Sequence, residues 1–187
     1  MGSCKPLLPW GKSSIIGHLV DLWKSLPCAQ IAPATDPANR ELRDALEVVG
    51  FDSTRCILNE RAGEGMFSTL RRAGEWRGWN DGISHVAIAL CDQPCILLET
   101  LRELLDSVKR DPLALWQPRY GDRNGHPVVL PMDDLRAIPH APEGNLRDFL
   151  RAHGSRRRQV PVSDPGVLID LDTPMDYEQH CPPTLVL

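Results

Sequence analysis

The stretch Ser84-His85-Val86-Ala87-Ile88-Ala89-Leu90-Cys91-Asp92-Gln93-Pro94 restricts the possible folds more than any other part of this chain. Val86 to Leu90 is wholly apolar, which predicts a strand buried on both faces of a parallel sheet. The run stops at a carboxylate. Pro94 then lacks the N–H that a continuing central strand would donate. Asp92 is thereby expected where a buried strand emerges at its carboxyl end, the edge at which open α/β sheets bind ligands. A carboxylate there suits a divalent metal held against the phosphates of a nucleotide. A plain strand-end turn, where Asp and Pro are common, is the competing reading.

A second apolar run, Leu168-Ile169-Asp170-Leu171-Asp172-Thr173-Pro174, also ends in carboxylates. With Val167 to Leu171 read as a strand, Asp170 and Asp172 project to one face, because strand side chains repeat every two residues. Two carboxylate-bearing strand ends are the right parts for Mg²⁺, which prefers oxygen ligands and keeps waters and substrate phosphates. Asp92, Asp170 and Asp172 are therefore the candidate metal ligands. Asp172 as a helix N-cap would account for one of the two without any metal.

The rest of the chain alternates between the two periodicities. Helices are expected after Ser13 or Ser14, over Asn39 to Val49, from Gly65-Met66 to about Arg72, over Glu99 to Lys109 and over Asn145 to His153. A further helix starts at Thr173-Pro174. Short strands are expected at Cys28 to Ala34, Arg55 to Leu58 and Arg156 to Val162. Leu113 to Arg119 and Pro127 to Leu130 read as a hairpin with a longer loop. This is the pattern of a three-layer α/β/α, Rossmann-like domain with a mostly parallel sheet. One domain over residues 1–187 is expected for a chain of this length.

The net charge of −4, with 25 % charged residues, is ordinary for a soluble protein and gives no support for nucleic-acid binding. No apolar run approaches the roughly 20 residues of a membrane span, so no membrane partner is expected. Lys5, Pro6 and Pro9 interrupt any secretory signal. Six cysteines with no zinc-finger spacing read as reduced thiols in a cytoplasmic protein.

Several polar residues sit at places where chemistry is possible. Asn59 ends a strand and precedes the turn with Gly63 and Gly65, whose backbone N–H groups suit an anion or a base edge. Asn59 is equally a routine turn residue. His126 lies in the hairpin loop, either as a substrate contact or as a solvated histidine. Arg156-Arg157-Arg158 reads as a solvated face, with phosphate contact the lesser reading. Lys5 alone would be a solvated terminal lysine. Gly11-Lys12-Ser13 lacks the upstream glycine of a P-loop.

Taken together, the motifs resemble the MobA-like NTP transferases, and most of all the molybdenum cofactor cytidylyltransferases (MocA-like). Met1-Gly2-Ser3-Cys4-Lys5 with Pro6-Leu7-Leu8-Pro9-Trp10 resembles the second half of that family's L-A-A-G-x-S-x-R-M-G-x-x-K signature. Asn59 with Gly65-Met66-Phe67-Ser68-Thr69-Leu70 resembles its N…G-M-x-x-S-L segment. Cys91-Asp92-Gln93-Pro94 resembles its D-Q-P metal motif, and Gly125-His126-Pro127-Val128 its G-x-P-V segment near the pterin. Ile169-Asp170-Leu171-Asp172-Thr173-Pro174-Met175-Asp176 resembles its closing I-D-I-D-T-P-x-D. The five segments fall in the family's order along nearly the whole chain.

The resemblance implies a Mg²⁺-dependent nucleotidyltransferase that moves CMP from CTP to the molybdopterin form of the molybdenum cofactor and releases pyrophosphate. It implies Lys5 and Asp92 as catalytic residues, and Gly2, Lys5, Asn59, Gly65 and Asp92 as the nucleotide site. Gln93, Pro94 and His126 would contact the acceptor, and a molybdenum hydroxylase would receive the product. A sugar- or alditol-phosphate transferase, a guanylyltransferase of the same fold, or a noncatalytic cofactor-delivery protein are the other readings. The resemblance also implies that the family's first strand and glycine-rich loop belong ahead of Met1. The 187-residue chain is therefore expected to be N-terminally truncated and impaired.

Overall fold

A computed structural model describes residues 4–183. After one 3-10 turn at Lys5–Leu7, β1 (Pro9–Trp10) and β2 (Ser13–Ser14) form a small antiparallel hairpin. Ser14 caps α1 (Ile15–Lys24): its Oγ accepts the Gly17 N–H at 3.2 Å, satisfying a donor that has no partner within the first turn. Ile15, Leu19 and Val20 form the buried stripe of that helix. β3 (Ala34–Thr35) leads to α2 (Arg40–Val48), capped by Asn39 Oδ1 on the Leu42 N–H at 3.1 Å. β4 (Ile57–Leu58) pairs parallel to β3. α3 (Met66–Glu75) starts after Gly65, whose φ of 92° a side chain would strain.

The second half carries β5 (His85–Ile88), α4 (Leu98–Ser107), β6 (Leu115–Tyr120), β7 (Arg123–Asn124) and β8 (Val128–Pro131). It continues with α5 (Met132–Ala137), α6 (Leu146–Ala152), β9 (Arg157–Pro161) and α7 (Pro174–His180). β5, β8, β6 and β7 lie side by side in that order, and β9 pairs with β6. Alternation along the strands then makes three layers. Val128 and Leu130 pack with Phe67, Leu135 and Phe149 of α3, α5 and α6. Val129 and Trp116 face the other way, against Leu104 of α4. Leu104 and Leu130 are fully buried, each contributing about 1.5–3 kcal/mol by leaving water. No helix among the described residues is long and apolar enough to cross a membrane.

The α/β/α class holds, but five expectations change. The sheet is mixed: β5 pairs antiparallel with β8, β8 with β6 and β6 with β7, while β9 is parallel to β6. β5 is not buried on both faces along its length; Val86 and Ala87 are half-buried and Ala89 is exposed. The Cys28 to Ala34 run yields only Ala34–Thr35 as strand, since Pro33 has no N–H to donate to a neighbour.

Val167 to Leu171 is not a strand either. Pro165–Leu168 is a 3-10 turn capped by Asp164, whose Oδ1 accepts the Gly166 N–H at 2.8 Å. Asp164 Oδ2 also accepts from the Leu97 N–H at 2.9 Å and from Thr100 Oγ1 at 2.8 Å. That buried carboxylate fixes the segment to the start of α4 instead of to a ladder. Nor is Arg156 part of a merely solvated face. It holds both oxygens of buried Asp134, at 2.9 and 2.5 Å.

Candidate active site at the carboxyl end of β5

Three distant segments meet where β5 ends. The Leu171 N–H donates to the Asp92 carbonyl at 2.9 Å and so stitches residues 169–172 beside the strand end. Gln93 Nε2 donates to Asp170 Oδ1 at 2.7 Å. Lys5 Nζ sits 2.8 Å from Asp172 Oδ1, bringing the N-terminal turn to the same edge. The expected strand alternation is absent at 170–172, yet the three carboxylates still converge. A capping box explains why Asp172 is free to do so: Thr173 and Asp176 cap α7 reciprocally, so Asp172 is not the cap.

The hairpin loop completes the edge. Gly125 lies so close to the Val167 carbonyl that a Cβ would stand 2.2 Å from its oxygen. That approach lets the His126 N–H donate to Val167 O at 3.1 Å and sets its Nδ1 3.4 Å from the Ile88 carbonyl.

The electrostatics follow from this crowding. Partial burial pushes the Asp92 carboxyl above its ordinary pKa, and the charges of Asp170 and Asp172 push the same way. Lys5 and the residue's own backbone N–H partly offset them. The hydrogen bond to Asp172 raises the Lys5 ammonium, with the charges of Asp172 and Asp92 adding to it. Desolvation lowers His126, against the pull of the Ile88 carbonyl, Asp170 and Asp92. The Cys91 thiol is pushed up to about 11 by desolvation and the charge of Asp92.

Asp92, crowded by the charges of Asp170 and Asp172 beside one lysine, forms a site that a divalent cation would relieve. Among the described residues no three His, Cys, Asp or Glu side chains stand as a ready-made ligand set. Mg²⁺ does not require one, because one or two carboxylates suffice when waters and phosphates fill the remaining positions. The donor chemistry therefore fits Asp92 with Asp170 or Asp172.

Over residues 1–158 the chain matches the model of the MobA-like NTP transferase domain. It belongs to that family.

Like other MobA-like NTP transferase domains, it has counterparts among solved structures, which at these identities share the fold alone. Rv0371c from Mycobacterium tuberculosis H37Rv is 22 % identical with a TM-score of 0.77, over 96 % of this chain and 90 % of that one. A complex of Rv0371C from Mycobacterium tuberculosis H37Rv with manganese aligns at 22 % identity and a TM-score of 0.71, over 96 % and 92 %. A nucleotidyl transferase from Methanothermobacter thermautotroptrophicus is 23 % identical with a TM-score of 0.76, over 95 % and 83 %. No curated protein matches this MobA-like chain.

The remaining residues singled out by sequence are placed differently. Asn59 is buried, and its Nδ2 donates to Ser68 Oγ and Thr69 Oγ1, both at 2.9 Å. Its Oδ1 accepts the Arg61 N–H at 3.0 Å. The side chain thus clamps the turn ahead of α3. The Gly65 N–H is taken by the Ala62 carbonyl at 3.0 Å. Gln93 and Pro94 are buried behind Asp92, not open to an acceptor. Pro94 O lies 3.1 Å from His18 Nε2, a contact no spacing rule could find across 76 residues. Gly2 lies outside the described residues.

Proposed function

We propose that this nucleotidyltransferase moves CMP from CTP to the molybdopterin form of the molybdenum cofactor and releases pyrophosphate. A terminal phosphate oxygen of the pterin attacks the α-phosphorus. The new P–O bond forms there as the bond to the β-phosphate oxygen breaks, and the electron pair leaves with pyrophosphate.

One observation carries this reading. The Lys5–Asp172 pair at 2.8 Å and the Gln93–Asp170 bond at 2.7 Å gather one cation and three carboxylates at the end of β5. Positioning and charge neutralisation are the main tasks of a protein in transfers of this type. Lys5 would balance phosphate charge as the leaving group departs. His126, neutral near pH 7, would offer its ring to the acceptor. Asn59 and Gly65 would shape the nucleoside end through the turn they hold. Mg²⁺ on Asp92 with Asp170 or Asp172 would offset phosphate charge and orient the pyrophosphate. Six free cysteines suit a reducing compartment, so we place the reaction in the cytoplasm, with a molybdenum hydroxylase as receiver.

The test is turnover of the purified chain with Mg²⁺, molybdopterin and CTP, GTP or ATP in turn. Pyrophosphate release and a cytidine dinucleotide mass with CTP alone support the proposal. Equal turnover with GTP overturns the cytidylyl choice. Turnover with a sugar phosphate but not with the pterin overturns the acceptor. Pterin binding without pyrophosphate release from any nucleotide makes this a delivery protein.

A further inference from the structure

Two arginines of the sheet have amides where their neighbours have carboxylates. Arg156 holds Asp134, and Arg158 Nη2 lies 3.2 Å from Asp111 Oδ2. Arg157, between them, donates from Nη2 to Gln117 Oε1 at 2.8 Å. Arg119, on the adjoining strand, donates from Nη1 to Gln159 Oε1 at 3.0 Å and from Nε to the Gly121 carbonyl at 3.0 Å. Among the described residues neither Arg119 nor Arg157 has a carboxylate within 4.0 Å. An amide orients a guanidinium but carries no charge to neutralise it, so both positive charges stay uncompensated.

The four side chains form one ladder. β9 runs parallel to β6, with Leu115 opposite Arg157 and Gln117 opposite Gln159. Side chains two apart on a strand share a face. Gln117 and Arg119 therefore follow buried Leu115 onto the face that packs with Phe67, Leu135 and Phe149. Gln117 is 7 % exposed, and its Nε2 donates to the Gly125 carbonyl at 3.4 Å. This buried amide fixes one end of Arg157. A guanidinium has five N–H donors, and among the described residues only Nη2 of Arg157 is engaged. Arg119 and Arg157 are both half-buried, so their free donors are accessible.

Topology sets the ladder at the same edge as the carboxylates. β5 is antiparallel to β8 and β8 to β6, so β5, β6 and β9 all run the same way. Asp92 lies just past the end of β5, and Arg119 near the end of β6. His126 stands between: its ring is on the Ile88 carbonyl, and it adjoins the Gly125 on which Gln117 leans. Only β8 separates β5 from β6, so the ladder begins two strand spacings, about 10 Å, from β5. A molecule that reacts beside Asp92 and passes His126 would bring its far end onto Arg157 and Arg119. The guanidinium fork matches an oxyanion there.

We infer that Arg157 and Arg119, oriented by Gln117 and Gln159, form an oxyanion site at the far end of the acceptor subsite, and that the acceptor carries a second anionic group about 10 Å from the phosphate it uses as nucleophile. The assignment to the acceptor rests on the transfer reaction proposed above. The affinity of the two arginines for an oxyanion does not.

The experiment titrates the 187-residue chain with inorganic phosphate and follows the guanidinium Nε–H signals of Arg119 and Arg157 by NMR. Both signals should move together on one binding curve. Calorimetry with Mg²⁺ present then compares hexane-1,6-diol bisphosphate, which spans about the same distance, with hexyl phosphate. The bisphosphate should bind at least about tenfold more tightly, because its second phosphate docks intramolecularly. Arg157→Met should abolish that advantage, and Arg157→Lys should restore only part of it, since an ammonium lacks the fork. Arg119→Met should weaken it too, in a chain whose buried Gln117 keeps its partner, so the result does not depend on the Arg157 variants folding.

Guanidinium signals that ignore phosphate would make the ladder a purely structural device and overturn the inference. Phosphate binding by the pair without any preference for the bisphosphate overturns the assignment to the acceptor. So does a bisphosphate advantage that survives both methionine substitutions in folded chains. None of these readouts involves CTP or turnover, so a failed assay of the proposed reaction leaves them interpretable.

Discussion

Gln93 and Asp170 lie 77 residues apart in sequence, yet the Gln93 amide donates to an Asp170 carboxylate oxygen at 2.7 Å. Gln93 is 3 % exposed, and its Oε1 has no protein partner. Asp170 itself is exposed. A buried side chain thus reaches outward to orient a surface carboxylate. Lys5 does the same for Asp172 from another direction. Two of the three carboxylates at the end of β5 are each held by a side chain from elsewhere in the chain. Asp92 feels the charges of both.

Gln93→Leu should separate stability from activity. The lost bond to a carboxylate costs about 1.5–3 kcal/mol at most, but the buried, unpartnered Oε1 goes with it, offsetting about 1–3 kcal/mol. Urea midpoints should therefore correspond to a change within about 1 kcal/mol. Pyrophosphate release should fall about 10–100-fold, as when a group orienting a metal ligand is lost. A variant with unchanged turnover would leave Gln93 no role at the site.

Asp92→Asn should remove activity without removing stability. A carboxyl whose folded pKa lies above its unfolded one binds its proton more tightly when folded, so its contribution declines as pH rises from about 4 through the raised value. At pH 7 Asp92 therefore works against folding. The amide should melt at or above the parent temperature at pH 7, and the gap should close toward pH 4. Turnover should drop about 10²–10³-fold. Differential scanning calorimetry across that range, beside a pyrophosphate assay, checks both halves.

Much of this was legible in the residues, and the reasons are local. Ser14, Asn39, Asn145 and Thr173 cap the helices that their positions imply, because a cap acts within three residues. β5 stops at Ile88, and Asp92 follows four residues on in a turn, close to where the apolar run ends. What the sequence hid depends on distant partners. The antiparallel neighbour of β5 is β8, some forty residues on, and the apolar run looks the same beside either kind of partner. The 169–172 segment has strand-like alternation but is held by Asp164, which binds Leu97 and Thr100. α5, six residues long and without a side-chain cap, gave no periodic signal to find.

Lys5→Met should also separate the two quantities, for a different reason. Its partner Asp172 has 67 % of its side chain exposed, and exposed ion pairs contribute about 0–1 kcal/mol. The thermal midpoint should barely move, and what change there is should shrink in high salt. If Lys5 faces the phosphates as proposed, loss of its charge should lower turnover by about 10–10³-fold. Equal turnover of parent and variant would assign Lys5 to surface solvation alone.

Arg156→Ala should do the reverse, costing stability while leaving the site in place. Arg156 grips buried Asp134 through both guanidinium nitrogens, and its Nε donates to the Leu113 carbonyl at 2.8 Å. The hydrogen bond to Asp134 raises the Arg156 pKa further, so the guanidinium keeps its charge as pH rises. Removing the arginine leaves a carboxylate at 8 % exposure without its cation, and unpairing a buried charge costs about 3–5 kcal/mol. Arg156 is itself 38 % exposed in its side chain, so water can re-enter and the expected loss is about 2–3 kcal/mol. Asp134→Asn with Arg156→Ala should recover part of that loss, since no charge then stays buried alone. Urea unfolding of the two variants measures this directly. A single variant as stable as the parent would mean that Asp134 is already solvated and that the pair does not anchor α5 to the turn ahead of β9.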